Sequence, residues 1–547
     1  MSYKTGVSRT QLILSSCLED SIASDNEVRV IDAFVDWIDM EKLGFVHTTD
    51  NLLGTSMYPP PMLLKLYIYG YLNRIRSSRR LEVECTRNIE LHWLLHHMTP
   101  CYHTIADFRK NNPVALKGVF KEFTQFCITM SLVEGETVVF DGTKIHAQNN
   151  QKNNFNAGRL EKLLIQLDTK TQQYEHYLKA LDEQDKVETV QENTLVPAGK
   201  TKVVIEKTLA LLEQKRLQYV AYQQQLKTAA EQGCPTEDLQ ISTVDPDARA
   251  MVFKKNNTEV GYNIQTAGDA KHKLLIHFDV TNVNDNNALS AVAIATKEIL
   301  HKNEEETYNA LADSGYHNGK ELSICEQANI KTFVCPDDLA KAKNNPQTNT
   351  VNPFSKDKFI YDEQSDTYTC PNSKQLKTNG TWYTSKVNAT SRLDRQTKQY
   401  TLPISVCRAC PFSEQCQGNA VKHGRGKTIH RTPFDDAVLA NRNRVLANPD
   451  TYKQRKEIIE HPFGTVKRSW GYYYTLLKTK KKVSGEFALI YLAYNLRRVI
   501  SILAIQALKL ALKTSVCFNR SCFMYFRAAF SKFCTIPTFY HPRIIRL

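Results

Sequence analysis

The 547-residue chain lacks an apolar run of membrane-spanning length. The nearest candidate, Val499 to Leu512, is short and interrupted by Ser501, Gln506 and Lys509. The first residues, MSYKTGVSRTQLILSSCLEDS, lack the core and cleavage pattern of a signal peptide. Together these absences argue against a membrane or secreted protein and predict a cytoplasmic location. No GxxxxGK[ST] loop is present, so nothing calls for a nucleotide cofactor. Negative charge is also in deficit: 57 Asp and Glu face 71 Lys and Arg, a formal net charge of +14. A chain that basic usually meets a polyanion, and with no membrane segment nucleic acid is the first expectation.

What is present suffices for real cores, with 42% hydrophobic residues. The length predicts about three or four units. Residues 1–132 read as a helical N-terminal domain. Pro59-Pro60-Pro61 opens a helix carrying Leu63, Leu64, Leu66, Tyr67 and Tyr69, and the basic run Arg74 to Arg80 follows. Ser77 or Ser78 is positioned to cap the next helix, and Thr104 with Asp107 resembles a capping box before a third. Short helices with arginines between them fit a small DNA-binding bundle or, equally, a packing domain with a solvated basic face.

In residues 133–155, Val138, Val139 and Phe140 form a β-branched and aromatic run ending in Asp141-Gly142, a strand that delivers a carboxylate at its end. Residues 156–233 read as an antiparallel helical hairpin, from leucines and tyrosines at three- and four-residue spacing. Strands return over residues 234–340 at VGYNIQTAGDA and KHKLLIHFDVTNV, then a helix at ALSAVAIATKEIL, then an apolar run ending in Asp313. Ile330 to Pro336 reads as one more strand. Hairpin strands followed by a helical crossover predict a mixed sheet in an α/β domain. Residues 341–432 are polar and hold clustered cysteines, 433–513 are helical, and 514–547 form a basic, aromatic tail with no acidic residue.

Asp141 and Asp313 each close an apolar run and precede a small residue. Phosphoryl transfer on DNA uses hard cations held by carboxylates, and strand ends place such groups rigidly side by side. An aspartate after a strand is also a common turn former. The later segment TYKQRKEIIEHPFGTVKRSWGYY adds Glu460 and Lys467, seven apart and so on one helical face. His461-Pro462-Phe463-Gly464 is expected to disrupt a regular helix. Lys478, Lys480, Lys481 and Lys482 follow, with Arg455, Lys467 and Arg468 as further candidates for phosphate contact. Asp279 and Asp285, near the third strand, rank below Asp313.

FDGTKIHA, GYNIQTAGD, ALADSGY, EHPFGTVKRSWG and YLAYNLRRVI occur in this order. Together they resemble bacterial insertion-sequence transposases of the DDE class, in particular the group numbered eleven-eighty-two, over nearly the whole chain. The resemblance implies a ribonuclease-H-like core with Asp141 on its first strand, Asp313 on its fourth and Glu460 on a later helix. It implies two Mg²⁺ or Mn²⁺ ions held by these three acids, and cleavage and strand transfer of DNA in a bacterial cytosol. The partners implied are double-stranded DNA, as the element's terminal inverted repeats and as target, bound by a homodimer. The related signature spaces Tyr, Arg, Glu and Lys along the helix. Glu460 and Lys467 fit its second half, whereas Tyr452 and Arg455 sit one residue too far upstream, which keeps Glu457 as a competing carboxylate. A decayed DNA-binding protein and a nuclease without strand transfer are the rival readings.

Most of the fourteen cysteines are scattered as small hydrophobes. Cys407-x-x-Cys410 is a metal-type knuckle, with Cys416 close behind and Cys370 as a fourth ligand, so that a structural Zn²⁺ is expected there. His423 could replace one cysteine; the alternative is a reduced, metal-free cluster.

Overall fold

A computed structural model describes residues 17–45, 58–184, 201–232, 239–254, 257–336, 353–385, 395–417 and 426–517, besides 339 and 424. His423 and residues 518–547 lie outside the described residues.

The N-terminal part is helical, as the pattern predicts: α1 (Val28–Trp37), α2 (Pro60–Leu72), α3 (Ser78–Arg87), α4 (Ile89–Leu94), α5 (Tyr102–Asn111) and α6 (Pro113–Thr129). Proline fits the open first turns of α2 and α6, where its missing N–H costs nothing. Ser77 caps α3 by accepting from the Arg80 N–H. The capping box expected at Thr104 does not form. Helix α5 begins earlier, behind Cys101, and Thr104 lies inside its first turn with its hydroxyl 3.3 Å from the Cys101 thiol.

The central sheet contains β1 (Thr137–His146), β2 (Arg249–Lys254), β3 (Asn257–Asp269), β4 (Leu275–Thr281), β5 (Asn309–Ala312) and β6 (Lys331–Val334). Between β1 and β2 the chain makes α7 (Ala157–Gln184) and α8 (Lys202–Glu231), the expected hairpin. Across the sheet β4 pairs β3, β3 pairs β1, β1 pairs β5 and β5 pairs β6. The first two pairings are antiparallel and the last two parallel. Strand β2 shares β4's edge of β3, pairing with its first half. Helices α9 (Leu289–Ile299) and α10 (Gly319–Gln327) make the crossovers that parallel pairing requires.

The polar stretch holds more structure than its composition suggests. Strands β7 (Ile360–Asp362), β8 (Thr367–Thr369), β9 (Gln375–Ser385), β10 (Arg395–Thr401) and β11 (Thr428–Arg431) form a second, antiparallel sheet. Phe359, Tyr368, Leu376, Tyr400, Leu402, Cys407 and Ile429 bury together as its separate core. The chain then makes α11 (Asp435–Ala447), α12 (Pro449–Phe463), a π-helical turn Gly464–Ser469, α13 (Lys480–Leu503) and α14 (Ile505–Cys517).

Helix α13 runs through the largest core, which joins residues of α1–α6 to those of the central sheet. Among the described residues no single helix is long and apolar enough to cross a membrane. Two helical asparagines serve the sheet's outer strands. Asn495 of α13 accepts from the Leu275 N–H and donates to its carbonyl, at 2.8 and 2.7 Å. Asn441 of α11 does the same for Val334, at 2.8 Å each. These strand groups would otherwise be buried without partners.

Candidate active site

Val139 of β1 stands in register with Leu311 of β5. Both side chains bury with Phe333, Val445, Ile458 and Ile459, so α11 and α12 cover this face. Asp141 and Asp313 each follow two residues later, and Asp141 shares the face of Val139 by the two-residue period of a strand. The pair therefore comes together as the strand pattern predicts. The expected strand end at Asp141 is corrected: β1 continues to His146, because Gly142 to His146 remain paired with β3. Asp313 does end its strand, and its carboxylate accepts from the Gly315 N–H at 2.9 Å.

The electrostatics follow from the enclosure. Burial first, then the negative charge of Asp313, push Asp141 up to about 7, against the opposing pull of Arg455. Burial likewise raises Asp313. The Arg455 guanidinium on α12 stands 3.7 Å from the Asp141 carboxylate. Lys467, in the π-helical turn, donates to the Thr143 hydroxyl and the Lys144 carbonyl at 3.0 Å each. Burial lowers its pKa while Asp141 raises it.

Glu460 is placed differently. It lies exposed on α12, the helix whose Ile458 and Ile459 turn toward the sheet. The charges that weigh most on Asp141 are Asp313, Arg455 and Asp285, not Glu460. Glu457 is exposed and pairs with Lys273 at 2.8 Å. Among the described residues no group of three His, Cys, Asp or Glu side chains is gathered closely enough to hold a metal ion. Arg468, Lys478, Lys480 and Lys481 are exposed and Lys482 is half-buried. Asp279 faces Lys117 at 3.5 Å.

Asp285, ranked low from sequence, stands close to the pair. Its Oδ1 accepts from the side-chain amides of Asn263 and Gln265, each at 2.7 Å. The Tyr316 hydroxyl donates to the Gln265 carbonyl oxygen. A Cβ on Gly142 would lie 2.2 Å from Asp285 Oδ1, 2.8 Å from Asn263 Oδ1 and 2.9 Å from Gln265 Nε2. Polar residues alternating inside a buried stretch of strand, Asn263 and Gln265, are the sequence signal that could have pointed here.

Cys370, Cys407, Cys410 and Cys416 are all free thiols, and all four line one pocket. Sγ of Cys370 and Cys407 accept from the backbone N–H groups of Lys374 and Lys427, and Cys410 Sγ from the Asn372 amide, at 3.3–3.4 Å.

Residues 16–111 match the family described as Transposase domain (DUF772), and residues 369–500 match Transposase DDE domain. The chain is a DDE-type DNA transposase. The matched DDE domain implies dependence on divalent metal, and DNA as the bound substrate. Glu460, Lys467 and the four cysteines of the transposase fall inside the second matched segment, whereas Asp141 and Asp313 lie between the two. No curated protein matches the transposase. A solved piggyBac transposase synaptic complex with hairpin DNA aligns with a TM-score of 0.29 and 8% identity, over 94% of this chain and 83% of that one. A likeness that low carries no argument about this transposase.

Proposed function

We propose that the transposase cuts and joins DNA at a divalent-metal centre held by Asp141 and Asp313, with Glu460, exposed on α12, having to be drawn in as the third carboxylate when a cation and DNA bind. The observation that carries this reading is the pair itself, two half-buried carboxylates two residues beyond one parallel register pair. Without a cation, like charges so placed oppose each other's ionisation. Hard cations take oxygen ligands of this kind, so the donor set fits Mg²⁺ or Mn²⁺, two ions by expectation. Such a cation, when bound, activates a nucleophile and stabilises a leaving oxygen.

The chain's own residues do the rest. Asp141 and Asp313 fix the reacting phosphate's position through a rigid sheet. Lys467, held by Thr143 and Lys144, places a positive charge beside Asp141 for phosphate. Arg455 offsets Asp141's charge. Arg468, Lys478, Lys480, Lys481 and Lys482 extend the positive surface along the same segment. The strand order β4-β3-β1-β5-β6, antiparallel then parallel, supports a ribonuclease-H-like core interrupted by the α7–α8 hairpin and by the cysteine-rich insertion. Motif order supports the insertion-sequence group numbered eleven-eighty-two. The substrates in this reading are the terminal inverted repeats and a target DNA, held by a homodimer because two ends must meet, with residues 1–132 as a DNA-binding domain.

Incubation with element-end DNA and a target plasmid in Mg²⁺ or Mn²⁺ should give cleavage and strand transfer. Ala at Asp141, Asp313 or Glu460 should abolish chemistry and leave end binding intact. Cleavage retained in one variant removes that residue from the centre, and cleavage without joining makes the protein a nuclease.

A structural Zn²⁺ at Cys370, Cys407, Cys410 and Cys416 is the second part of the proposal. Soft thiols around one pocket, three of them already accepting N–H bonds, support it, although a bound ion would have to draw the set closer. Protein purified without chelator should carry about one zinc per chain, and Cys407→Ser should lose it. Metal-free wild-type protein of unchanged stability sinks the idea.

A further inference from the structure

The Asp285 side chain accepts two buried amides but serves neither of the elements beside it. It lies in a short turn (Asp285–Asn287) between β4 and α9, yet it caps neither element: Asn284 precedes the turn and Ala288 precedes α9 without a side-chain cap. Its carboxylate is turned toward the sheet instead. There Oδ1 takes two amide hydrogen bonds, from Asn263 and Gln265, residues that are 0% and 1% exposed. Gln265 is fixed in turn by Tyr316, three residues after Asp313.

Two glycines make room for this arrangement, and each adjoins one of the paired acids. Gly142 follows Asp141, and a Cβ there would collide with Asp285 Oδ1 at 2.2 Å. A Cβ on Gly315 would lie 3.0 Å from Asp313 Oδ1 and 3.9 Å from Asp285 Cβ, so the Asp285 side chain is a neighbour of Asp313 across this glycine. A second oxygen aims into this space. Asn263 Oδ1 is fully buried and has no hydrogen-bond partner, while its amide nitrogen donates to Asp285 and to the Val283 carbonyl. A buried acceptor left unsatisfied destabilises the fold. Beside a carboxylate, a cation removes that cost without needing a donor hydrogen.

We propose that Asp285, with the Asn263 carbonyl oxygen beside it, is a further cation-holding group of the centre. It supplies an acidic oxygen next to Asp141 and Asp313 that none of the recognised motifs contains. This rests on the reading of Asp141 and Asp313 as metal-holding. The frame of Asn263, Gln265 and Tyr316 sets the direction of its carboxylate, and Gly142 admits it.

The test is Mn²⁺ binding by the full chain, followed by the paramagnetic resonance signal of free Mn²⁺, with no DNA and no turnover. Asp285→Asn keeps the shape and can still accept both amides, so its melting temperature without metal should match the wild type. If it does not, Asp285→Ala, which leaves space rather than a donor, replaces it. Binding weakened ten-fold or more in the Asp285 variant, and in Asp141→Asn, supports the proposal. Wild-type binding in the Asp285 variant alongside weak binding in Asp141→Asn overturns it and leaves the paired-aspartate reading intact. Wild-type binding in the variants of Asp141, Asp313 and Asp285 overturns both. Weak binding in the Asp285 variant alone supports Asp285 as a cation ligand and removes the pair from the centre.

Discussion

Replacing Gly142 with alanine adds one carbon where the ends of three side chains already meet, those of Asp285, Asn263 and Gln265. The residue lies in the regular strand β1, so the backbone itself accepts a side chain and the cost comes from crowding alone. Overpacking of this kind costs about 1–3 kcal/mol. Gly142→Ala should therefore lower the melting temperature modestly and reduce DNA cleavage far more, since the displaced groups are those beside Asp141. Equal activity in the variant and the wild type would separate this cluster from the chemistry. Asp141 and Asp313 could be read from sequence because each ends or follows a run of β-forming residues, a local signal. The place of Asp285 beside the pair was not legible, because what directs its carboxylate sits about twenty residues earlier in another strand. Glu460 is conspicuous as a motif, but a spacing of seven says which residues share a helical face and not which way that face turns.

At the scale of elements, strand β4 presses His277 against the lysines of α6. Burial, with Lys117 and Lys121 adding to it, lowers its pKa to about 3. A histidine depressed in the folded state stays neutral there while the unfolded chain takes up a proton near pH 6.5. Stability is then whole above that pH and falls as the pH drops toward 3, by about 1.4 kcal/mol per unit. Because Asp141, raised to about 7, acts in the opposite direction over the same range, the slope is read as a difference: in urea denaturation between pH 7 and pH 4.5, wild type should lose stability relative to His277→Leu as the pH falls. The elements themselves were unevenly legible. Helices and buried strands with long apolar periodicities appear where expected. The second sheet was invisible because its core is a handful of residues, Tyr368 and Tyr400 among them, scattered between polar neighbours. The break expected at His461 to Gly464 takes a milder form: α12 keeps Pro462 inside it and unwinds just afterwards into the π-helical turn that carries Lys467.

Across the whole molecule, the N-terminal helices are welded to the sheet. Arg76 donates to the Tyr474 carbonyl at 2.8 Å, lies between the rings of Tyr472 and Tyr474, and faces Glu486 of α13 at 3.5 Å. Glu486 is 0% exposed and also accepts from the Leu476 and Leu477 N–H groups. Removing one member of a buried pair strands the other, at a cost of about 3–5 kcal/mol. Glu486→Leu should thus destabilise the N-terminal helices and the sheet together, in one cooperative transition. Two separate transitions in the wild-type protein, each attributable to one unit, would contradict the shared core.

The asparagine clamps on Leu275 and Val334 have an effect beyond satisfying two backbones. The outermost strand of any sheet offers unpaired N–H and C=O groups to whatever extended chain comes near, and proteins that crowd onto one nucleic acid meet their own copies at high local concentration. By holding Leu275 and Val334 from within, Asn495 and Asn441 fill those sockets first. An intruding strand would have to evict a side chain anchored in a helix before forming its first bonds there, so at these two points the molecule guards its own borders against templated association.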